Sequence, residues 1–128
     1  MKRSVFTADH EEFRSAVRDF LARDVVPNVD EYAENKLIAR EVWHEAGKQG
    51  ILGLEIPEAY GGGEAGDYRF NAVATEELAA VNMALASSFG IHFDIVTPYV
   101  VDLASEEQKQ QWLPRMAAGE AVAAIGMT

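Results

Sequence analysis

Residues 82–96 read Asn82-Met83-Ala84-Leu85-Ala86-Ser87-Ser88-Phe89-Gly90-Ile91-His92-Phe93-Asp94-Ile95-Val96, and only Ser87, Ser88, His92 and Asp94 interrupt the apolar run. A helix with almost no polar face is buried on most of its sides. This stretch is therefore the centre of a domain, and the neighbouring segments must be what covers it. Downstream, Thr97-Pro98 reads as an N-cap followed by an N1 proline, opening a helix through Tyr99, Val100, Val101, Leu103 and Ala104. Ser105-Glu106-Glu107-Gln108 then matches the S-x-x-Q capping box of a helix that turns Trp112, Leu113 and Met116 inward and closes at Gly119.

Upstream, Asp67 is a suitable N-cap for a helix whose stripe is Phe70, Val73, Ala74, Leu78 and Val81, with Glu76-Glu77 beside it. Thr7 caps a first helix whose buried stripe is Phe13, Ala16, Val17, Phe20 and Leu21, and Pro27 predicts its stop. A short helical piece follows over residues 29–34. A further helix over 40–49 has Trp43 and Ala46 on its inner face and ends at Gly50. Residues 51–66, glycine-rich with Pro57, read as a long loop. Residues 121–128, Ala-Val-Ala-Ala-Ile-Gly-Met-Thr, suit the start of a buried strand, and a lone strand implies a sheet that this sequence does not supply.

The fold class expected is all-α: an orthogonal or up-down bundle of about six helices over residues 1–120. Residues 121–128 are then a short C-terminal strand that begins a β domain.

Composition narrows the functions available. A chain of 128 residues, 48% hydrophobic and 25% charged, makes one folded domain. With 21 acidic against 11 basic residues, the formal charge of -10 repels phosphate backbones and anionic lipid, so neither nucleic acid nor a membrane surface is expected as a partner. No cysteine is present, and His10, His44 and His92 lack the spacing of a zinc site, so no metal is expected. Unbroken apolar runs fall short of the roughly 20 residues of a membrane span, and the chain reads as cytoplasmic.

Individual residues give both functional and structural readings. Gly61-Gly62-Gly63 lacks the strand before it and the helix directly after it that a phosphate loop needs, so a structural turn is favoured. Glu76 and Glu77 point about 100° apart on a helix, which favours a salt bridge or a solvated face over an acid–base pair. His92 fits a core histidine bonded to the backbone. Asp94 needs either water or a partner, because an unpaired buried carboxylate costs several kcal/mol. Ser87, Ser88 and Gly90 lower the bulk of one side of the central helix, which admits a neighbouring helix or leaves a channel for an apolar ligand.

Six collinear segments resemble the N-terminal domain of the acyl-CoA dehydrogenase family from about residue 13 to residue 128. They are Phe13 through Leu21 with Val26-Pro27; Trp43-His44-Glu45-Ala46-Gly47-Lys48-Gln49-Gly50-Ile51-Leu52-Gly53; Ile56-Pro57-Glu58-Ala59-Tyr60-Gly61-Gly62; Glu76-Glu77-Leu78-Ala79; Ser87-Ser88 with His92 and Pro98; and Glu106 through Pro114 with Ala118-Gly119-Glu120. The resemblance implies a parent enzyme with a helical domain, a middle β domain and a C-terminal helical bundle, holding FAD and assembling as a homotetramer or homodimer. Its reaction is α,β-dehydrogenation of an acyl thioester such as acyl-CoA. A carboxylate takes the α proton, and the β hydrogen leaves as hydride to the flavin.

By the same resemblance, Met127 and Thr128 begin a flavin-touching motif, and Ala86, Ser87, Gly90 and Asp94 line the acyl chain's path. The base belongs to the C-terminal bundle, so no catalytic residue is expected here. The chain alone is then expected to be inactive, free of FAD and prone to self-association. Asp94 departs from the family's apolar or neutral residue and points to a shorter, polar or aromatic acyl group. A binding or subunit module that pairs with a partner chain, an acyl-CoA oxidase and a flavin monooxygenase stay open as alternatives.

Overall fold

The stretch that organises the sequence also organises the computed structural model, which describes residues 4–127. The elements are α1 (Ala8–Phe20), α2 (Val29–Asn35), α3 (Arg40–Lys48), α4 (Arg69–Val81), α5 (Met83–Gly90), α6 (Thr97–Leu103) and α7 (Glu106–Ala117). α1 packs on α4, α4 on α5, and α6 on α7. Val17, Phe20, Trp43, Leu52, Ala74, Leu78, Phe89 and Phe93 form the main core, where the Trp43 and Phe89 rings stack with centroids 4.2 Å apart. A smaller core of Ile56, Leu113, Met116 and Ala117 closes the α7 end.

Two prolines are handled differently from the expectation. Thr97 is not an N-cap: it has α-helical dihedrals, and α5 runs through a π-helical turn at Ile91–Val96 directly into α6. Pro98 has no N–H to donate, and its ring collides with the carbonyl four residues earlier in a regular α-helix. Widening the turn relieves that collision. The Thr97 N–H bonds the His92 carbonyl five residues back, and the Thr97 hydroxyl donates to the same oxygen at 2.8 Å.

α1 itself ends at Phe20, before Pro27 as expected, but the chain does not leave the helical path there. A π-helical turn at Leu21–Val25 and a 3-10 turn at Val26–Asn28 carry the chain into α2.

The joined helix Met83–Leu103 has 21 residues and a mean hydropathy of 1.2, long and apolar enough by length and composition to cross a membrane. About a third of it is buried in the bundle, including Leu85, Phe89, His92 and Phe93 at 0–3% exposed, so one side is covered rather than most sides, contrary to the expectation.

The expected caps largely appear. Ser105 and Gln108 form the capping box of α7, and Asp67 accepts the Arg69 N–H at 3.0 Å although Tyr68 occupies the cap position. Gly50 ends α3 at φ +75°, a conformation in which a Cβ is strained. Residues 51–66 are held by their own hydrogen bonds, such as Gly63 N–H to the Gly53 carbonyl at 2.8 Å, around a 3-10 turn at Glu58–Tyr60.

The strand expected over 121–128 is absent among the described residues, because no neighbouring strand offers a ladder. Instead the Ala121 N–H bonds the Arg115 carbonyl, and the Ala123 N–H bonds the His92 ring.

Candidate functional site

Spacings of three and four residues put Met83, Ser87, Gly90 and Asp94 on one side of the central helix. Met83 is 70% exposed, Ser87 is exposed, and a Cβ built on Gly90 meets nothing within 4 Å. Ser87, Gly90 and Asp94 are thus brought together on an open stripe. Ala86, 100° away, is 6% exposed and belongs to the core beneath it.

Asp94 has the partner that its apolar neighbours demand. Asn71 Nδ2 donates to Asp94 Oδ1 at 2.7 Å, and the Tyr68 side chain hydrogen-bonds the same carboxyl. Burial pushes the Asp94 carboxyl above its ordinary range, and those two hydrogen bonds offset part of the effect. Glu55 is pushed up as well, first by burial and then by the charges of Asp94 and Asp102. The edge of the stripe is therefore an acidic corner in which burial raises both carboxyls and the charge of Asp94 further disfavours ionisation of Glu55.

Asn71 and Glu55 went unread in the sequence. The signal for Asn71 was present: it lies three residues before Ala74 and seven before Leu78, an amide on a buried helix face, where a polar partner is required. It is fully buried, and its Oδ1, like Thr75 Oγ1, has no partner among the described residues. Glu55 comes from a different segment of the chain, so no helical spacing could pair it with Asp94.

Glu77, half of the candidate acid–base pair, is instead 7% exposed and bonded to Arg14 and Arg18, which makes it a structural anchor. His92 is a satisfied core histidine. Burial pulls its proton affinity below the usual imidazole range.

A concavity of about 550 Å3 lies on a different face, between α2, α5 and residues 122–124, and is lined by Tyr32, Ile38, Trp43, Leu85, Ser88 and Ile91. None of Ala86, Ser87, Gly90 and Asp94 lines it.

Of the two residues expected at a flavin, Thr128 lies outside the described residues. Met127 is 86% exposed. Among the described residues, the backbone N–H groups of 124–127 find no partner, and a Cβ on Gly126 meets nothing within 4 Å. These exposed donors are open to water or to whatever packs on this end of the bundle. No cluster of histidine and carboxylate side chains suited to a metal occurs among the described residues.

Comparison with known proteins gives a consistent result. The family described as acyl-CoA dehydrogenase, N-terminal domain, matches residues 7–120. The mitochondrial long-chain specific acyl-CoA dehydrogenase of Rattus norvegicus is 40% identical over 126 residues, covering 98% of this chain and 29% of that protein. The crystal structure of an acyl-CoA dehydrogenase from Geobacillus kaustophilus superposes with a TM-score of 0.89 at 36% identity, covering 94% of this chain and 31% of that one. An acyl-CoA dehydrogenase from Bacillus anthracis, solved in complex with FAD, superposes with a TM-score of 0.85 at 30% identity over 96% of this chain and 21% of that one. The chain spans less than a third of the length of each of these relatives.

Proposed function

This chain belongs to the acyl-CoA dehydrogenase family as its N-terminal domain, and we propose that it forms one wall of the acyl cavity in an FAD-dependent enzyme that dehydrogenates an acyl-CoA. The observation that carries this reading is the open stripe, where the absent side chain at Gly90 leaves room beside Ser87 for an alkyl chain. Each methylene covered there contributes about 0.8 kcal/mol. FAD in such an enzyme supplies the acceptor for the hydride that leaves the β-carbon. The chain's own share is binding and shape: Ser87 and Gly90 border the acyl chain, Asp94 with its Asn71 and Tyr68 partners bounds its path, and the backbone at 126–127 meets the flavin. The base that takes the α proton belongs outside this domain.

The Rattus norvegicus relative is described as long-chain specific, which supports a long acyl chain here. Asp94 raises less objection to one than its sequence suggests, because its carboxyl is already engaged by Asn71 and disfavours the charged form. The parent enzyme assembles as a homodimer or homotetramer in this reading. Tyr99 and Leu103, 63% and 74% exposed, are apolar surface for other parts of that assembly to cover, or for isolated chains to associate through.

A chimera tests the proposal. The 128-residue chain is compared, alone and in place of the matching segment of a solved acyl-CoA dehydrogenase relative, for flavin absorbance near 450 nm and for oxidation of palmitoyl-CoA. A colourless, inactive isolated chain and a yellow, active chimera are expected. Turnover by the isolated chain overturns the division of labour, and a folded, flavin-loaded chimera that oxidises no acyl-CoA overturns the substrate assignment.

A further inference from the structure

His92 is fully buried, yet its ring reaches two other parts of the chain. Nδ1 lies 3.1 Å from the Ala123 backbone nitrogen, and Nε2 lies 3.2 Å from the Met116 carbonyl oxygen at the end of α7. A backbone N–H only donates and a carbonyl only accepts, so both contacts are hydrogen bonds in one tautomer alone, the neutral ring with its proton on Nε2. The carbonyl of the same residue receives the Thr97 N–H and hydroxyl at the π-helical turn. His92 is therefore pinned at both ends, with Asp94 two residues along the same turn.

The segment it holds matters. After Ala121, which bonds the Arg115 carbonyl, the Ala123 N–H is the last backbone donor with a partner among the described residues. Residues 124–127 run on with their donors free. Where they lead is thus decided at Ala123.

We propose that His92 is a positioning residue that ties residues 121–127 to the central helix and to the end of α7, fixing the direction in which the backbone at 126–127 leaves the bundle. The same turn carries Asp94 on the open stripe, so one rigid unit sets the stripe and the outgoing segment relative to each other. That the outgoing segment meets flavin rests on the function proposed above; the tie does not. Trp43, whose ring centroid is 5.8 Å from that of His92, is the remaining aromatic wall and brings no charge.

Two substitutions divide the ring's roles. His92→Asn keeps an acceptor near the place of Nδ1, and His92→Gln keeps a donor near the place of Nε2 and loses the acceptor for Ala123. Amide exchange of the 15N-labelled chain is expected to leave Ala123 protected in H92N and to speed its exchange about fivefold in H92Q, the factor given by one net hydrogen bond of about 1 kcal/mol. Protection of Ala74 and Leu78 reports that the core is intact. Equal Ala123 exchange in wild type and H92Q overturns the tie. Should H92Q fail to fold, the imidazole 15N shifts of the wild-type chain decide instead: a bare Nδ1 supports the tie, and a protonated Nδ1 overturns it.

In the chimera, H92Q is expected to weaken FAD binding severalfold with H92N near wild type. Unchanged FAD affinity in H92Q with Ala123 freed overturns the positioning role. A wild-type chimera that binds no FAD instead defeats the proposed function and leaves the exchange result standing.

Discussion

Arg14 Nη1 and Glu77 Oε1 lie 2.7 Å apart, and both side chains are 9% exposed, so this ion pair joins α1 to α4 inside the protein. Glu77 also takes the Arg18 guanidinium at 2.6 Å, and Glu76 takes Arg14 at 2.9 Å. Burial opposes the charge on Glu77, yet hydrogen bonds from Arg18 and Arg14 win and hold its carboxyl below the usual range.

Removing Glu77 takes from Arg14 its shortest and most buried carboxylate partner and leaves it to the more exposed Glu76 and Glu11. Glu77→Ala is expected to destabilise the fold by on the order of 2 kcal/mol, read as a lowered urea midpoint. Arg18→Ala is expected to cost far less, because that side chain is 62% exposed and Arg14 remains. The sign with pH follows from the depressed carboxyl. The pair's stabilisation is complete above the ordinary glutamate value of 4.5 and is lost as pH falls through the lower folded value. A wild-type minus E77Q difference that stays constant down to strongly acidic pH contradicts this.

Gly119 closes α7 at φ +72°, and a Cβ there falls 2.1 Å from the Trp43 carbonyl oxygen. Both the dihedral and the contact oppose any side chain. Gly119→Ala is expected to cost about 2–3 kcal/mol, because backbone rather than a flexible side chain must give way. Gly126, with nothing within 4 Å of its Cβ position, is the control. G126A should unfold at the wild-type temperature in calorimetry.

Local chemistry made much of this fold legible in the sequence. The Ser105–Gln108 capping box and the Gly50 and Gly119 stops are each set within a turn or two of chain, and each appears. Of the α1 stripe, Val17, Phe20 and Leu21 are buried and Phe13 partly so, while Ala16 is exposed, and Trp112 of α7, expected inward, is 41% exposed. What misled was proline. Thr97-Pro98 carries the same residue types whether it opens a helix or sits after a π-helical turn, and the difference lies in whether the His92 carbonyl has a hydroxyl to receive. The candidate site divides in the same way. Ser87, Gly90 and Asp94 share a face by periodicity alone. Ala86 sinks into the core through a 100° turn, and Glu55 reaches Asp94 from a segment that no spacing relates to it.

Asp94 and Glu55 should make the protein less stable as they ionise. Their folded values are raised above the ordinary 3.8 and 4.5, so the native state binds protons more readily than the unfolded chain just above those values. Stability contributed by each is full below its ordinary value and is lost as pH rises through the raised one. Asp94→Asn, which keeps an oxygen for Asn71 to donate to, is expected to raise the urea midpoint at about pH 7 and to leave it unchanged at about pH 3. A midpoint lowered at neutral pH shows that the ionised carboxylate holds the fold, contrary to this account.

Gly90 sets the interests of fold and site against each other. It sits at the end of α5 where the helix runs on into the π-helical turn, so it carries the entropic cost of glycine within a helix. No atom lies within 4 Å of its Cβ position to collide with a methyl group. Gly90→Ala is therefore expected to stabilise the isolated chain by about 0.5–1 kcal/mol, measured by urea unfolding. In the chimera, the same open space is what an acyl chain occupies. Gly90→Phe should fill it and lower kcat/KM for palmitoyl-CoA by at least about 10-fold, the low end for a misfit of a single methylene in an apolar site, with butyryl-CoA affected much less. Equal losses for the two substrates place the acyl path elsewhere, on a face that Gly90 does not border.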